Sequence, residues 1–275
     1  MRTQEKRATR FRSIQTSLLF VIVPAVIISM AVLSLMGYLS SKAIIQTSAG
    51  TEMSQCLSVA MGSIEMSLSN NRMVAETMAR GVEAIQRQAV KGDQTASDWD
   101  AAAYQEILTS FVGSNPETFG GGIWFEPYQY RPEQRYFSPY CMRQNGAVTY
   151  VDNYSLGEGV YYTDQDWYTN AANTTQKSVW SAPYYDEFAQ ISMVTSSAPI
   201  YDETGRFLGV ATADIDLTQM QQMVLSLDVV ANGRAFLIDD TGVYIADEDS
   251  EKLLSANILE DDNPSFLSLI HISEP

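Results

Sequence analysis

The chain has 275 residues and a formal net charge of −16, from 33 acidic and 17 basic side chains, with 45% hydrophobic residues. Nucleic acid demands a basic footprint, and this balance is its opposite, so nucleic-acid binding is excluded. Cys56 and Cys141 are the only two cysteines and fall in different predicted elements. They make no disulfide framework, and without a Cys/His cluster a zinc site has no ligand set, so the fold must rest on its core.

Residues 1–17 carry Arg2, Lys6, Arg7, Arg10 and Arg12 against the single acid Glu5. No charged residue occurs from Ser13 to Ser41, and 18–39 is almost continuously apolar, long enough to cross a bilayer with some tilt. Pro24 lies near the first third of this run, where a membrane helix tolerates it. The basic flank predicts a cytoplasmic N-terminus and an exported chain from Lys42 onward. The alternative is a cleaved signal peptide, whose apolar region is only about 7–15 residues and ends in a small-residue cleavage site. Here the run continues through Met36-Gly37-Tyr38-Leu39-Ser40-Ser41-Lys42 without an Ala-x-Ala, which favours an uncleaved anchor. Beyond Lys42 stand 11 basic and 32 acidic residues, read first as a solvated outer surface and second as a mild attraction for cations.

Residues 43–90 are helical in pattern. Met53, Leu57, Met61, Ile64 and Leu68 recur at steps of three and four, and Met78, Val82 and Ile85 resume the stripe. Gly50, Gly62 and Gly81 weaken this helix without breaking it. At 1.5 Å per residue it would be about 70 Å long, which suits a stalk leaving the membrane. Its stripe can pack on the rest of the chain or on a second copy, and both remain open. A turn follows at Lys91-Gly92-Asp93-Gln94-Thr95, and Ser97 or Asp98 can cap a second helix with Trp99, Ala103, Ile107 and Phe111 on its apolar face. Gly113-Ser114-Asn115-Pro116 ends it.

Strands are expected over 120–126, 135–142 and 147–151, with Gln144-Asn145-Gly146 as a hairpin turn. A helix over 166–174 and a short strand at Val179-Trp180 come next. Two β-branched runs, 191–200 and 207–217, flank Tyr201-Asp202-Glu203-Thr204-Gly205-Arg206 and should pair antiparallel. A connecting helix is expected over 218–227. A second hairpin pattern opens at Gly233 around Asp240-Thr241-Gly242.

The segment 159–217 gathers Trp167, Tyr168, Tyr184, Asp186 and Asp214 around one sheet face, an arrangement suited to a small polar ligand. Other chemistries find no machinery. Gly120-Gly121-Gly122 lacks the spacing and the following helix of a phosphate loop. His271 is the only histidine, so a nucleophile–histidine pair has no partner upstream. Asp164/Asp166 and Asp239/Asp240 read as solvated turns rather than a glycosidic acid pair. For Trp167 and Tyr168 the competing reading is plain core packing, and for Asp186 a turn residue after Pro183. Asp214 interrupts an apolar strand, where a buried carboxylate needs a partner.

The order Trp167-Tyr168, Pro183-Tyr184-x-Asp186, then a strand closing on Gly209-Val210, Asp214-Ile215 and Leu217, resembles the extracellular double Cache sensor domain of bacterial chemoreceptors, sensor kinases and cyclic-dinucleotide enzymes. The resemblance covers residues 40–266. It implies an α+β fold: transmembrane helix 18–39, stalk 43–90, a PAS-like antiparallel membrane-distal module over 91–228, and an incomplete second PAS-like module over 229–266. It implies a non-enzymatic ligand sensor without a cofactor or metal, most like a methyl-accepting chemotaxis protein. A histidine kinase or diguanylate cyclase output is the alternative; an anchored extracellular enzyme finds less support. A homodimer in the cell membrane, with its sensor outside, is the expected assembly.

In the amino-acid-binding subset of that family, an Arg two residues before Trp-Tyr holds the ligand carboxylate and two later aspartates hold the α-amine. The matching positions are Trp167, Tyr168, Asp186 and Asp214, but the Arg is Gln165 and the upstream Tyr falls on Val160, with Tyr161 and Tyr162 adjacent. A neutral amide cannot replace the guanidinium fork, so the pattern implies a small amine, quaternary amines included, ahead of an amino acid. The candidate site is therefore Tyr162, Gln165, Trp167, Tyr168, Tyr184, Asp186 and Asp214. Residues 267–275 match, codon for codon, the translation of a transposon-end sequencing adapter. The native frame is accordingly expected to stop near Phe266, and His271 takes no part in any mechanism.

Overall fold

The computed structural model describes residues 14–91, 101–151, 154, 159, 161–227 and 234–260. The basic stretch 1–13, the cap residues Ser97 and Asp98, Trp99, Val160, Gly233 and the 267–275 tail with His271 lie outside these residues. Helix α1 (Ile14–Lys91) is continuous across residues 40–42, so the expected membrane and stalk helices are one element. No proline or αL residue interrupts the join, and Ser and Lys there tolerate helical geometry.

Residues 1–55 form one compact unit and residues 56–275 another. In the first, Phe20, Val21, Ile27 and Leu33 stand exposed along α1. Among the described residues this is the one helix long and apolar enough to cross a membrane, its most apolar 18 residues having a mean hydropathy of 2.5. So continuous an apolar surface is costly in water and natural in lipid.

In the second unit, α1 buries Ile64, Val74, Ala75, Met78, Ala79, Val82 and Ile85 at helical spacing, while Leu57, Met61 and Leu68 are half-buried. Helix α2 (Ala101–Ser114) buries Tyr104, Leu108 and Val112, one residue on from the expected Ala103/Ile107/Phe111 face. A one-residue step turns a helix by about 100°, and this rotation brings Tyr104 under the sheet while Phe111 packs at the margin.

Seven antiparallel strands form the sheet: β1 (Gly120–Phe125), β2 (Tyr140–Gln144), β3 (Ala147–Val151), β4 (Val179–Trp180), β5 (Tyr184–Asp186), β6 (Ile191–Tyr201) and β7 (Phe207–Asp216). Their order is β3-β2-β1-β7-β6-β4, with β5 also on β6. Strand β2 begins five residues after the expected Arg135, because Pro139 cannot donate to a ladder. The chain before it still accepts from β1, through Phe137 and Pro139 carbonyls at 3.1 Å. The β2–β3 turn has positive φ at Asn145 (52°) and Gly146 (81°), the geometry a two-residue hairpin needs. In the β6–β7 turn, Asp202 Oδ1 accepts from the Thr204 and Arg206 amides at 2.8 and 3.0 Å.

The two faces of the sheet differ in chemistry. Ile123, Phe125, Ala198, Ile200, Ala211 and Ala213 face α1 and α2, the alanines admitting close helix approach. Trp124, Tyr140, Met142 and Val210 face α3 (Asp166–Asn173), which contributes Trp167, Tyr168 and Ala171. Helix α4 (Leu217–Leu225), capped by Asp216 accepting from the Thr218 amide at 2.8 Å, packs Leu217 and Met220 with Leu237 and Ile245. The last hairpin, β8 (Leu237–Ile238) and β9 (Tyr244–Ala246), turns where expected, with Asp239 accepting from the Thr241 and Val243 amides. The architecture is α+β.

Tyr104 sits edge-on to Phe125, Tyr130 and Phe137 at 5.6–5.9 Å, and its buried hydroxyl has no hydrogen-bond partner among the described residues. An unpaired buried hydroxyl costs roughly 1–3 kcal/mol. Tyr104→Phe should therefore raise stability by about 1 kcal/mol in urea unfolding; a loss of that size would mean the hydroxyl has a partner.

Candidate functional site

A small pocket lies between the aromatic face of the sheet and α3. Its floor is polar. On β7, Asp214 pairs in register with Thr195 of β6 and Gly120 of β1, which places all three on one face. Asp214 Oδ2 accepts from the Tyr140 hydroxyl and Oδ1 from the Thr195 hydroxyl, each at 2.8 Å. Thr195 gives its one proton to Asp214, so Tyr184, 2.8 Å away, must donate to Thr195. Two residues along β7, Thr212 Oγ1 accepts from Trp124 Nε1 at 2.8 Å and the Gly122 amide at 3.1 Å.

The second carboxylate closes β5. Asp186 Oδ2 accepts from the Tyr154 hydroxyl at 2.5 Å and Oδ1 from the Ala189 amide at 2.6 Å. The walls are rings: Trp124 lies 4.7 Å from Trp167 and 5.2 Å from Tyr154, and Tyr140 lies 4.9 Å from Tyr154. Met193 completes the lining. Burial holds the Tyr140, Tyr154 and Tyr184 phenols protonated, each pushed up from its ordinary value, so all three act as donors. Burial also pushes the Asp214 carboxyl up to about 7, against the Tyr140 and Thr195 hydrogen bonds, with a further upward contribution from Asp186.

Glycines make this floor possible. A Cβ at Gly120 would stand 2.7 Å from Tyr140 Cζ, and one at Gly122 would stand 2.7 Å from the Trp124 indole. Both side chains therefore need bare strand beneath them, and Tyr140 reaches Asp214.

Of the expected site residues, Trp167, Tyr184, Asp186 and Asp214 line the pocket and three do not. Tyr162 donates to the Phe125 carbonyl at 2.6 Å and Tyr168 to Glu126 Oε2 at 2.7 Å, both packed behind Trp167. Trp167 and Tyr168 are adjacent on a helix, about 100° apart, so only one can enter the pocket. Gln165 is the N-cap of α3 and makes no side-chain cap bond. Asp164 and Asp166 are exposed. Asp186 ends β5 and is buried, and it also caps the turn that follows, accepting from the Ala189 amide. Trp124, Tyr140, Tyr154, Met193, Thr195 and Thr212 complete the site without having been expected. Thr195 was within reach of the hairpin register opposite Asp214, and the glycine run marked the strand on which large rings could lie.

Among the described residues no Lys, Arg or His lines the pocket. Arg131 lies over Tyr130, Arg135 over Tyr136 and Tyr161, and Arg143 donates to the Val112, Asn115 and Thr118 carbonyls that close α2. Among the described residues no three His, Cys, Asp or Glu side chains converge as a metal site. The arrangement can bind a small cation: two buried carboxylates below, aromatic faces around.

Residues 104–222 match the family model "Methyl-accepting chemotaxis protein-like, first PDC sensor domain". Methyl-accepting chemotaxis protein McpA of Pseudomonas putida is 24% identical over 208 residues, 74% of this chain and 31% of the relative. The extracellular domain of mmHK1S-Z2, assigned as a histidine kinase, superposes with a TM-score of 0.58 at 22% identity, covering 73% of each chain. The ligand-binding domain of the Campylobacter jejuni chemoreceptor Tlp3, solved with 4-methylisoleucine, gives a TM-score of 0.50 at 18% identity over 77% of this chain and 70% of that one. At these identities the two structures speak for the fold alone. The chain spans about a third or less of the length of the curated relatives it matches.

Proposed function

We propose that this chain, whose residues 104–222 are a PDC (Cache) sensor module of the methyl-accepting chemotaxis type, is the ligand-sensing part of a membrane chemoreceptor that binds a small amine. The observation behind the ligand class is the pocket lining, which combines Asp186 and Asp214 with five aromatic side chains and no Lys, Arg or His. A ligand carboxylate would enter beside two buried carboxyl groups with no cation in the lining to meet it, whereas an ammonium offsets their charge. Sensing rather than catalysis fits this lining, which presents carboxylates and hydroxyls but no base–nucleophile pair.

Residues 18–39 then anchor the chain, with 1–17 cytoplasmic, the sensor extracellular, and a homodimer as the assembly. Residues 43–90 act as the stalk, 91–228 as the membrane-distal module and 229–266 as the opening of a membrane-proximal one. A chemotaxis output is favoured by the McpA relative, and the second reading is the same sensor on a histidine kinase, the setting in which mmHK1S-Z2 carries this fold.

The Tlp3 complex with 4-methylisoleucine supports an amino acid as the competing ligand. Matched pairs separate the two: isobutylamine against valine, ethanolamine against serine, agmatine against arginine, each in thermal shift followed by calorimetry. The amine of at least one pair should bind at least as tightly as its amino acid. A strong preference for the amino acid throughout would place a cation against the ligand carboxylate and overturn the amine assignment. Gln165→Arg should not invert the preference, because Gln165 lies outside the lining.

A further inference from the structure

We infer that the pocket exchanges a proton for its ammonium ligand, so that its affinity rises with pH across the neutral range. The inference rests on the amine reading of the site and concerns its regulation.

Asp214 is 3% exposed and Asp186 is 6% exposed, and both line one pocket. The groups facing Asp214 are Tyr140 from β2, Thr195 from β6, Tyr184 and Asp186 from β5, and Tyr154 from the loop after β3. Trp124 and Trp167 cover it from β1 and α3. Asp186 is the only one of these with a charge, and it has the same sign. Hydroxyls that point at a carboxylate ease its burial without neutralising it, and two buried carboxylates in one site cannot both remain ionised cheaply. One positive charge must therefore be supplied. A proton and an ammonium are alternative ways to supply it.

The two carboxylates differ in their partners. Asp186 keeps a backbone donor, the Ala189 amide, on Oδ1. Among the described residues Asp214 receives side-chain hydroxyls alone; it sits in the centre of the sheet, and its carboxyl is pushed up to about 7, mainly by burial. An unfolded aspartate releases its proton near pH 3.9. Between that pH and about 7 the folded chain holds a proton that the unfolded chain has lost. Stability from this group is thus full below the unfolded value and is lost as pH rises through the folded one. Ligand affinity runs the other way: the ionised fraction of Asp214 rises about tenfold per pH unit below 7 and levels off above it.

The test uses the full chain in detergent micelles, with isobutylamine as the probe, since an alkylamine stays protonated from pH 5 to 8. Calorimetry should show affinity rising by nearly a hundredfold across that range. In buffers of different ionisation heat it should show about one proton released per amine bound at pH 5 and almost none at pH 8. A ligand-free arm follows the unfolding midpoint over the same range. The unmodified chain should lose stability as pH rises, and Asp214→Asn should flatten that profile. Should Asp214→Asn fail to fold, Asp186→Asn serves instead: removing the neighbouring charge should move the midpoint of both profiles to lower pH. A flat ligand-free profile, or an affinity independent of pH, overturns the exchange. A falling ligand-free profile with no binding of any amine overturns the amine reading of the site instead.

Discussion

Asp214→Asn should weaken binding of an alkylammonium by ten- to hundredfold at pH 8, and Asp186→Asn should weaken it less. One charge-assisted hydrogen bond is worth roughly 1.5–3 kcal/mol, which is that range in affinity. Asp214 is held from both sides, by Tyr140 at Oδ2 and Thr195 at Oδ1, on a strand paired with both neighbours. Its position is set before any ligand arrives, so its full charge meets the ammonium without reorganisation. Asp186 stands at the end of β5 and also caps its own turn, accepting from the Ala189 amide. Part of its role is structural, and an asparagine oxygen can keep that amide bond. The comparison has a pH signature as well. At pH 5 the unmodified carboxyl is already protonated, so Asp214→Asn should then bind about as the parent does. Equal affinity of both variants and the parent at pH 8, with intact folding, would remove these residues from the site.

Much of this fold was legible because local rules agree there. The β6–β7 hairpin could be read from two β-branched runs around an Asp/Gly turn, and its register carries Asp214 to Thr195. That hairpin is also why Asp214 was recognisable: a carboxylate amid alternating apolar residues on a central strand needs partners. Legibility failed where the outcome depended on rotation or on distant chain. The 3.6-residue period located α2 but not its inward side, since Ala103/Ile107/Phe111 and Tyr104/Leu108/Val112 are both plausible stripes. The same rotation admits Trp167 to the pocket and turns Tyr168 to Glu126. Tyr154 carries no periodic signal in the sequence, yet it reaches Asp186 across 32 residues. Gln165 was chosen by its position in a family pattern, and position in a motif does not aim a side chain.

Gly120→Ala should damage the site more than a single methyl suggests, with a stability loss of roughly 1–3 kcal/mol and about a tenfold loss of ligand affinity. The added carbon would fall on the Tyr140 ring, 2.7 Å from Cζ, and 3.0 Å from the Cys141 carbonyl oxygen. Tyr140 has nowhere to go: it is 2% exposed and wedged between Trp124 at 5.7 Å and Tyr154 at 4.9 Å. Moving it breaks the hydroxyl contact with Asp214, one of the two hydrogen bonds that pull the carboxyl back down towards its ordinary range. The pH midpoint of amine binding should therefore shift upward from about 7. Gly62 and Gly81 on α1 provide the contrast, because a Cβ at either meets nothing within 4 Å. Alanine there removes only the entropic penalty of glycine in a helix and should stabilise the chain by about 0.5–1 kcal/mol. Urea unfolding of the three variants, with amine titrations at pH 6, 7 and 8, distinguishes the cases. If Gly120→Ala behaved like Gly81→Ala and left the binding midpoint in place, the bare strand beneath Tyr140 would not be what sets the geometry of Asp214.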